Sequence, residues 1–439
     1  MDSRNTSYAR FVTEQPHVVI IGGGFAGLSA AKALKRAPVR ITLIDKRNHH
    51  LFQPLLYQVA TAGLAGVDIA QPIRRILRRQ QNVTVLLEEV EAVDPEKHEL
   101  ALADGNRIAY DYAIIATGVS HFYFGHPEWE RHAPGLKTLE DALEIRRRVL
   151  IAYERAEAET DPLRRAEWLT FAVIGGGPTG AETAGALAEI ARRAMAGDFR
   201  HFDPGHARIL LLEGADRVLL SYPEALSEKA RQQLETLGVE VLLGARVKAI
   251  DERGLTIEGP AGTADERLEA RTIIWAAGIA ASALGASLGA PTDRAGRVEV
   301  DPSLAIPQCR ETFVVGDLAH IEQDGDLVPG VAPAAIQQGQ HAATNILRLM
   351  AGKESAPFRY KNRGSMATIG RKSAVAVVGK LELSGLFAWL AWLTIHIFFL
   401  IGFRNRFVVL FEWAWSYLTY QRSARLILEE AGEASPSES

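Results

Sequence analysis

Two glycine-rich hexapeptides carry the clearest chemistry in this chain: Gly22-Gly23-Gly24-Phe25-Ala26-Gly27 and Gly175-Gly176-Gly177-Pro178-Thr179-Gly180. In such a loop the first glycine allows a tight turn. The second lets a pyrophosphate approach the backbone, and the third lets helix and strand pack closely. The phosphates rest on the unpaired N–H groups and positive end of the following helix. One loop alone is a weak signal. Here each follows an apolar run, precedes a helix-compatible segment and is answered by an acid at the end of the next strand. Asp45 lies 18 residues past Gly27, and Glu213 lies 33 past Gly180. An acid about 20 residues on accepts ribose hydroxyls. The longer second interval predicts a longer helix plus the loop Asp198–His206. A carboxylate at Glu213 repels a 2′-phosphate and so favours NADH over NADPH. Arg217, close by in sequence, keeps NADPH open.

The elements that must hold these loops repeat. His17–Ile21, Leu28–Arg36 and Val39–Ile44 read as strand, helix and strand. Ala166–Ile174, an alanine-rich helix to about Gly197, and Arg208–Leu212 repeat the order. Each unit is later followed by an apolar strand ending in small residues: Tyr112–Ala116 with Thr117-Gly118, and Thr272–Trp275 with Ala276-Ala277-Gly278. The chain therefore holds an internal duplication. Thr312–Val315 then runs into Gly316-Asp317, where the chain is expected to return to the first module. The expected fold is α/β, with two Rossmann-like dinucleotide-binding domains, the second inserted in the first, and a C-terminal membrane-associating helical segment. The expected boundaries are a disordered lead 1–15, a first domain over 16–165 and 286–352, and an inserted domain over 166–285. A C-terminal domain over 353–428 and a disordered tail 429–439 complete the chain.

Composition limits the classes of function. Of 439 residues, 47% are hydrophobic and 23% charged, which is globular and not disordered composition. A net charge of −4 argues against nucleic-acid binding. The one cysteine, Cys309, excludes a disulfide framework, a redox-active pair and a cysteine-based zinc or iron–sulfur site. No metal-ligand cluster is visible in the sequence. The polar N-terminus lacks the apolar core of a secretory signal.

Charge and aromatics are unevenly spread. From Phe358 to Leu428 there are ten Lys/Arg and only two acids, Glu382 and Glu412, with Trp389, Trp392, Trp413 and Trp415. A basic, aromatic, apolar tail on an acidic body is a membrane-contact composition. Leu383–Phe403 holds 21 uncharged residues, about enough to span a ~30 Å hydrocarbon core. A spanning hairpin with Phe407–Tyr420 would drag Arg404 and Arg406 across and bury Glu412 at about 2.5 kcal/mol or more. The segment 383–420 is therefore expected to lie in the plane of one leaflet, with spanning and a buried dimer interface as the alternatives.

The two modules and the Gly316-Asp317 turn resemble the two-dinucleotide-binding-domain flavoproteins. That resemblance implies FAD on the first loop, with Gly22, Gly24, Gly27, Asp45, Gly316 and Asp317, and Thr117 and Gly118 lining its side. It implies NADH on the second, with Gly175, Gly177, Gly180 and Glu213, and Ala277 and Gly278 lining that side. Disulfide reductases and sulfide:quinone reductases of this superfamily use cysteine pairs, and one cysteine excludes both.

The chain is similar to the type II NADH:quinone oxidoreductases, single-subunit dehydrogenases that do not pump protons, from about His17 to Arg425. The likeness rests on Phe52-Gln53-Pro54-Leu55-Leu56-Tyr57, Gly177-Pro178-Thr179-Gly180-Ala181-Glu182, Ala335-Ile336-Gln337-Gln338-Gly339 and Leu400-Ile401-Gly402-Phe403-Arg404-Asn405-Arg406. It implies respiratory transfer of two electrons from NADH through FAD to a membrane quinone. Glu182 would serve between the nicotinamide and quinone approaches, helping to deliver protons. Its alternative role is a first-turn carboxylate favoured by the helix dipole. The family's quinone motif has two glutamines four residues apart. Gln337 matches the second, but the first falls on Pro333, which cannot donate a hydrogen bond. Gln338 would lie on the flavin side. Phe52, Pro54 and Leu55 would wall the flavin or pack in the core. His396 would relay protons at a quinone entrance or act as a hydrogen-bonded interfacial residue. The expected partners are NADH, a quinone, a lipid surface and a second copy of the chain, at the cytoplasmic face of a bacterial plasma membrane. Two other readings remain: a soluble reductase of a ferredoxin-like carrier, and a non-catalytic NAD(H)-sensing flavoprotein resembling apoptosis-inducing factors.

Overall fold

The computed structural model describes residues 15–259, 263–400, 403–419 and 424–427. The expected lead, the tail and the Ile401-Gly402 step lie outside the described residues, as do the side chains of Arg404 and Trp415. The chain forms two compact units. The first comprises 1–50, 72–119 and 281–361; the second comprises 51–71, 120–280 and 362–439.

In the first unit, β-branched runs too short and too apolar for surface helices assemble a sheet buried on both faces. Its order is Ala305–Ile306, Cys309–Val314, Tyr112–Ile115, His17–Ile21, Arg40–Asp45, Val83–Leu87. All neighbours are parallel except the short edge strand Ala305–Ile306. The helix Phe25–Ala33 packs against the helix Ala332–Met350. The sequence after Gly316-Asp317 thus does return to the first module. An antiparallel meander, Val90–Asp94, Glu99–Leu102 and Arg107–Ala109, adds Val93, Leu100 and Leu102 to the core beneath this sheet.

In the second unit four parallel strands repeat the order: Val239–Leu243, Arg208–Glu213, Thr170–Ile174, Thr272–Trp275. It carries its own meander, Val247–Asp251, Gly254–Ile257 and Glu266–Glu269. The duplication read from the glycine loops therefore extends to strand order. Two local expectations change. The opening strand begins at Thr170, because Pro162–Trp168 is a helix whose Asp161 cap accepts from the Leu163 N–H. The alanine-rich helix stops at Glu189 and loosens into a wider turn over Ile190–Ala194.

The C-terminal segment belongs to this second unit from Asn362. A three-stranded meander, Ser365–Gly370, Ser373–Val378 and Leu381–Ser384, lies against the helix Pro178–Glu189. Gly185 permits this: a Cβ there would stand 1.7 Å from the Ile369 carbonyl oxygen. The uncharged run is not one helix. Leu383 and Ser384 are strand residues, the helix is Leu386–Phe399, and a second helix covers Phe403–Thr419. Fourteen residues span about 21 Å at 1.5 Å each, short of a ~30 Å core. No helix among the described residues is long and apolar enough to cross a membrane.

Both C-terminal helices are two-faced. Trp389, Trp392, Val409 and Trp413 are buried. Phe387 and Phe398 are 74% and 67% exposed, and Leu386, Leu390, Phe407 and Phe411 are exposed with them. The indoles face protein and the Phe and Leu side chains face outward.

Candidate functional site

The two nucleotide loops are near-superimposable in their bonding. Gly22 and Gly175 take φ of +101° and +109°, the left-handed region that favours glycine. A Cβ on either would clash with the carbonyl region of Ala116 or Ala276, at 2.5 and 2.7 Å. A Cβ on Gly27 or Gly180 would lie within 1.9 or 1.8 Å of the Gly22 or Gly175 carbonyl oxygen. Each loop's second residue then donates its N–H to the acid on the neighbouring strand. Gly23 donates to Asp45 Oδ2 at 2.6 Å, and Gly176 to Glu213 Oε2 at 2.6 Å. The other oxygens accept from Arg47 N and Ala215 N, at 2.7 and 2.8 Å. Both acids are thus fixed beside their glycines, each keeping a lone pair for a ribose hydroxyl. The 33-residue interval did not displace Glu213.

The first loop fits a dinucleotide. Gly24 has open space where a Cβ would project. Thr117 Oγ1 and His50 Nε2 are buried without a hydrogen-bond partner, as polar groups are when a ligand completes them. Sequence reasoning missed His50. Its Nδ1 bonds the Gly23 carbonyl at 3.0 Å, and burial lowers its pKa to about 4, so it is neutral. Only its contact with the loop, not its spacing, marks it. Gly118 and Gly316 have positive φ, and a Cβ on Gly330 would stand 3.2 Å from the Asp317 carboxyl carbon, a tight contact. Gln338, 3% exposed, accepts the Gly316 N–H through Oε1, which braces the Gly-Asp turn.

In the second unit Gly278 has φ +74°, and a Cβ there would meet the Phe122 carbonyl at 2.7 Å. Ala277 is packed on the core beside Trp275. Arg217, the residue that kept NADPH open, spends its guanidinium on the carbonyls of Tyr222 and Leu220 at 3.1 and 3.3 Å.

A cavity of about 90 Å³ lies within the second unit. Glu182 stands on its wall with Tyr57, Gln58, Trp389, Trp392 and Trp413, and Arg193 and Arg371 add cationic groups. Glu182 is the fifth residue of the helix Pro178–Glu189, past the first turn where the helix dipole favours an acid, and it accepts one hydrogen bond, from Thr368 N at 3.3 Å. It keeps some accessible surface because it lines the cavity. Burial nevertheless pushes its pKa up to about 8, since the single N–H offsets little of the desolvation. A carboxyl poised near neutrality can hold and release a proton.

Trp389, Trp392 and Trp413, which the sequence suggested for membrane contact, instead line this chamber, and Gln58, which the sequence did not single out, joins them. Gln58 Oε1 accepts from Trp413 Nε1 at 2.7 Å, and Gln58 Nε2 donates to the Tyr57 hydroxyl at 2.9 Å. Trp392 stacks on His396 at 4.4 Å and leans on Trp413 at 5.4 Å. Its indole N–H is buried with no acceptor.

Two expected quinone-site residues are occupied otherwise. Gln337 clamps the Lys361 backbone from both ends of its amide, Oε1 to Lys361 N at 3.0 Å and Nε2 to Lys361 O at 3.1 Å. His396 donates Nδ1 to the Trp392 carbonyl at 2.7 Å, and burial lowers its pKa to about 4. It is therefore neutral at physiological pH. Phe52 meets His396 edge-on at 6.2 Å, and Leu55 is core.

Residues 16–339 match the family described as pyridine nucleotide-disulphide oxidoreductase, and 362–421 match the NDH2 C-terminal domain. The type II NADH:quinone oxidoreductase NdhA of Mycobacterium tuberculosis is 48% identical, covering 94% of this chain and 89% of that one. The chain belongs to the type II NADH:quinone oxidoreductases. A second such enzyme from that organism, Ndh, is 45% identical over 95% of this chain and 92% of its own. The fold matches NDH2 of Plasmodium falciparum, solved in complex with NADH, with a TM-score of 0.86 at 20% identity, covering 95% of this chain and all of that one.

Proposed function

We propose that this type II enzyme reduces its quinone in the Glu182 chamber, with Glu182 as proton source and the Trp392 N–H as a donor to one quinone carbonyl. The reaction is non-pumping transfer of two electrons from NADH to quinone. Bound FAD supplies a relay that takes hydride from the nicotinamide and hands two electrons on. The chain's own work is to hold the nucleotides, exclude water and supply a proton.

The Asp45 and Glu213 carboxylates take the ribose hydroxyls, and the loops take the phosphates. Thr117 and His50 offer their unpartnered atoms to the first nucleotide. With Arg217 committed to backbone carbonyls, Glu213 leaves a 2′-phosphate unpaired and repelled, so NADH is used over NADPH.

Quinone reduction consumes protons as well as electrons. Near neutral pH Glu182 still carries its proton, as a donor must. This raised carboxyl in an indole-lined chamber is the observation that carries the assignment. Gln337 and Gln338 serve as braces of the Lys361 backbone and the Gly-Asp turn.

The same helices that give Trp389, Trp392 and Trp413 to the chamber expose Phe387, Leu390 and Phe398 on their other face. Laid on one leaflet through 383–420, this face brings the chamber to the lipid where a long-tailed quinone resides. We place it at the cytoplasmic face of a bacterial plasma membrane, with NADH arriving from water.

Anaerobic bleaching of the purified yellow protein by NADH, followed by a short-chain quinone, tests the reaction. Prompt return of the yellow absorbance is expected, and a colour that stays bleached overturns it. Trp392→Phe should raise the quinone KM about tenfold, the effect of one hydrogen bond of roughly 1.4 kcal/mol. The NADH KM and the NADH:ferricyanide rate should not move. An unchanged quinone KM removes Trp392 from the site.

A further inference from the structure

The fold brings three metal-ligating side chains together far from either nucleotide loop. Cys309 opens the strand Cys309–Val314, and Glu311, two residues on, projects from the same face of it. His98 reaches them from the turn between two meander strands, 211 residues away in sequence. Cys309 Sγ lies 3.7 Å from His98 Nε2 and 3.7 Å from Glu311 Oε2. The three ligand atoms fall within 4.8 Å of one another.

The two edges at sulfur are close to those of a tetrahedral site. With Zn–S about 2.3 Å and Zn–N about 2.0–2.1 Å, a tetrahedral S···N edge is about 3.6 Å. The Pro95 carbonyl oxygen also lies 3.7 Å from Sγ. The ligands are held in place. The His98 ring lies flat on Tyr110, 5.5 Å between centroids and 4° from parallel. Arg310 engages the other Glu311 oxygen at 2.9 Å, which leaves Oε2 turned to the thiol. Cys309 is buried, while His98 and Glu311 are half-buried, so an ion has a route in.

Against the expectation drawn from a single cysteine, we propose that His98, Cys309 and Glu311 form a structural site for a zinc-type divalent cation that pins the meander to the strand Cys309–Val314 of the first sheet. A thiolate and a carboxylate neutralise a divalent charge, and a thiolate–imidazole set selects a soft or borderline ion over magnesium or calcium. Cys309 sits at the amino end of its strand and the Gly316-Asp317 turn follows the carboxyl end. Six strand residues, about 20 Å, separate the ion from the nucleotide side. The ion is therefore a staple and takes no part in electron transfer.

The chain's single cysteine makes the test unambiguous. The full-length flavin-loaded enzyme is titrated with Co2+ and read at wavelengths beyond flavin absorption, with a difference spectrum for the thiolate charge-transfer band. One tetrahedral cobalt per chain is expected, displaced by Zn2+, together with a melting temperature that rises with added Zn2+. Cys309→Ser should lose the charge-transfer band. His98→Gln should weaken binding by at least about tenfold through loss of one ligand. Both variants should keep their flavin and their NADH:ferricyanide rate. Absence of a thiolate–cobalt band from the parent enzyme overturns the proposal, as does a Zn2+-dependent melting shift that persists in both variants. If Cys309→Ser fails to fold, His98→Gln decides by the same readings.

Discussion

Replacing Glu182 by Gln separates the carboxyl's cost to the fold from its use in the reaction. The folded pKa rises from 4.5 to about 8, a gap of about 3.5 units, or at most about 4.8 kcal/mol at 1.36 per unit. Chamber water and protein relaxation reduce this, so about 1–3 kcal/mol is expected to be realised. The sign follows from linkage. Below pH 4.5 the group is neutral in both the folded and unfolded chain and costs nothing. As pH rises from there through about 8, the unfolded chain gains the freedom to ionise and the folded one does not, so stability falls. Glu182→Gln removes that loss. Its stability advantage over the parent should grow between pH 5 and 8 in urea unfolding followed by tryptophan fluorescence, and vanish at lower pH. In the assay, quinone turnover should fall about a hundredfold, the reach of a positioned general acid. The NADH:ferricyanide rate, which needs no proton, should hold. The parent's quinone rate should decline above pH 8 and the variant should lack that limb. Parallel stability-against-pH curves for the two proteins would refute the raised pKa. An unchanged quinone rate would refute the proton role.

Three further outcomes follow from contacts elsewhere. Gly185→Ala forces a methyl against the Ile369 carbonyl, which should cost about 3 kcal/mol or more. Thermal unfolding should show the loss, and quinone reduction should suffer more than dye reduction because the displaced strand carries Thr368. Glu213→Gln removes the charge that repels a 2′-phosphate. The NADPH-to-NADH ratio of kcat/KM should rise several-fold, and a fixed ratio would unseat the assignment. Phe387→Glu with Phe398→Glu removes two exposed rings, each worth about 2 kcal/mol when buried in lipid. Flotation with anionic vesicles should show binding at least about a hundredfold weaker, while ferricyanide activity in solution persists.

The nucleotide loops were legible because their chemistry is local. Phosphate binding by a glycine turn at a helix start needs six consecutive residues, and the acid that completes it sits at the end of the adjacent strand. Asp45 and Glu213 were therefore found from order along the chain, even with 33 residues intervening at the second. The uncharged run at Leu383–Phe403 was legible as apolar but not as structure. Hydropathy counts residues, whereas the break at Gly385 and the pairing of Leu383 with Ala376 decide where the helix begins.

What the sequence determined by itself was the duplicated α/β architecture and its two nucleotide loops, since each rests on short-range spacing, while the electron-transfer family came from the resemblance of a few short motifs. Only the tertiary structure decided which side chains share a cavity. It tied Gln337 to Lys361, set Trp392 and Gln58 beside Glu182, and joined His98 to Cys309. Those contacts lie between segments up to hundreds of residues apart, and they are selected by sheet register and helix packing, neither of which a local pattern encodes. The Glu182 proton is the clearest case: its affinity depends on the loss of water around one carboxyl, and that loss exists only once the chain has closed over it.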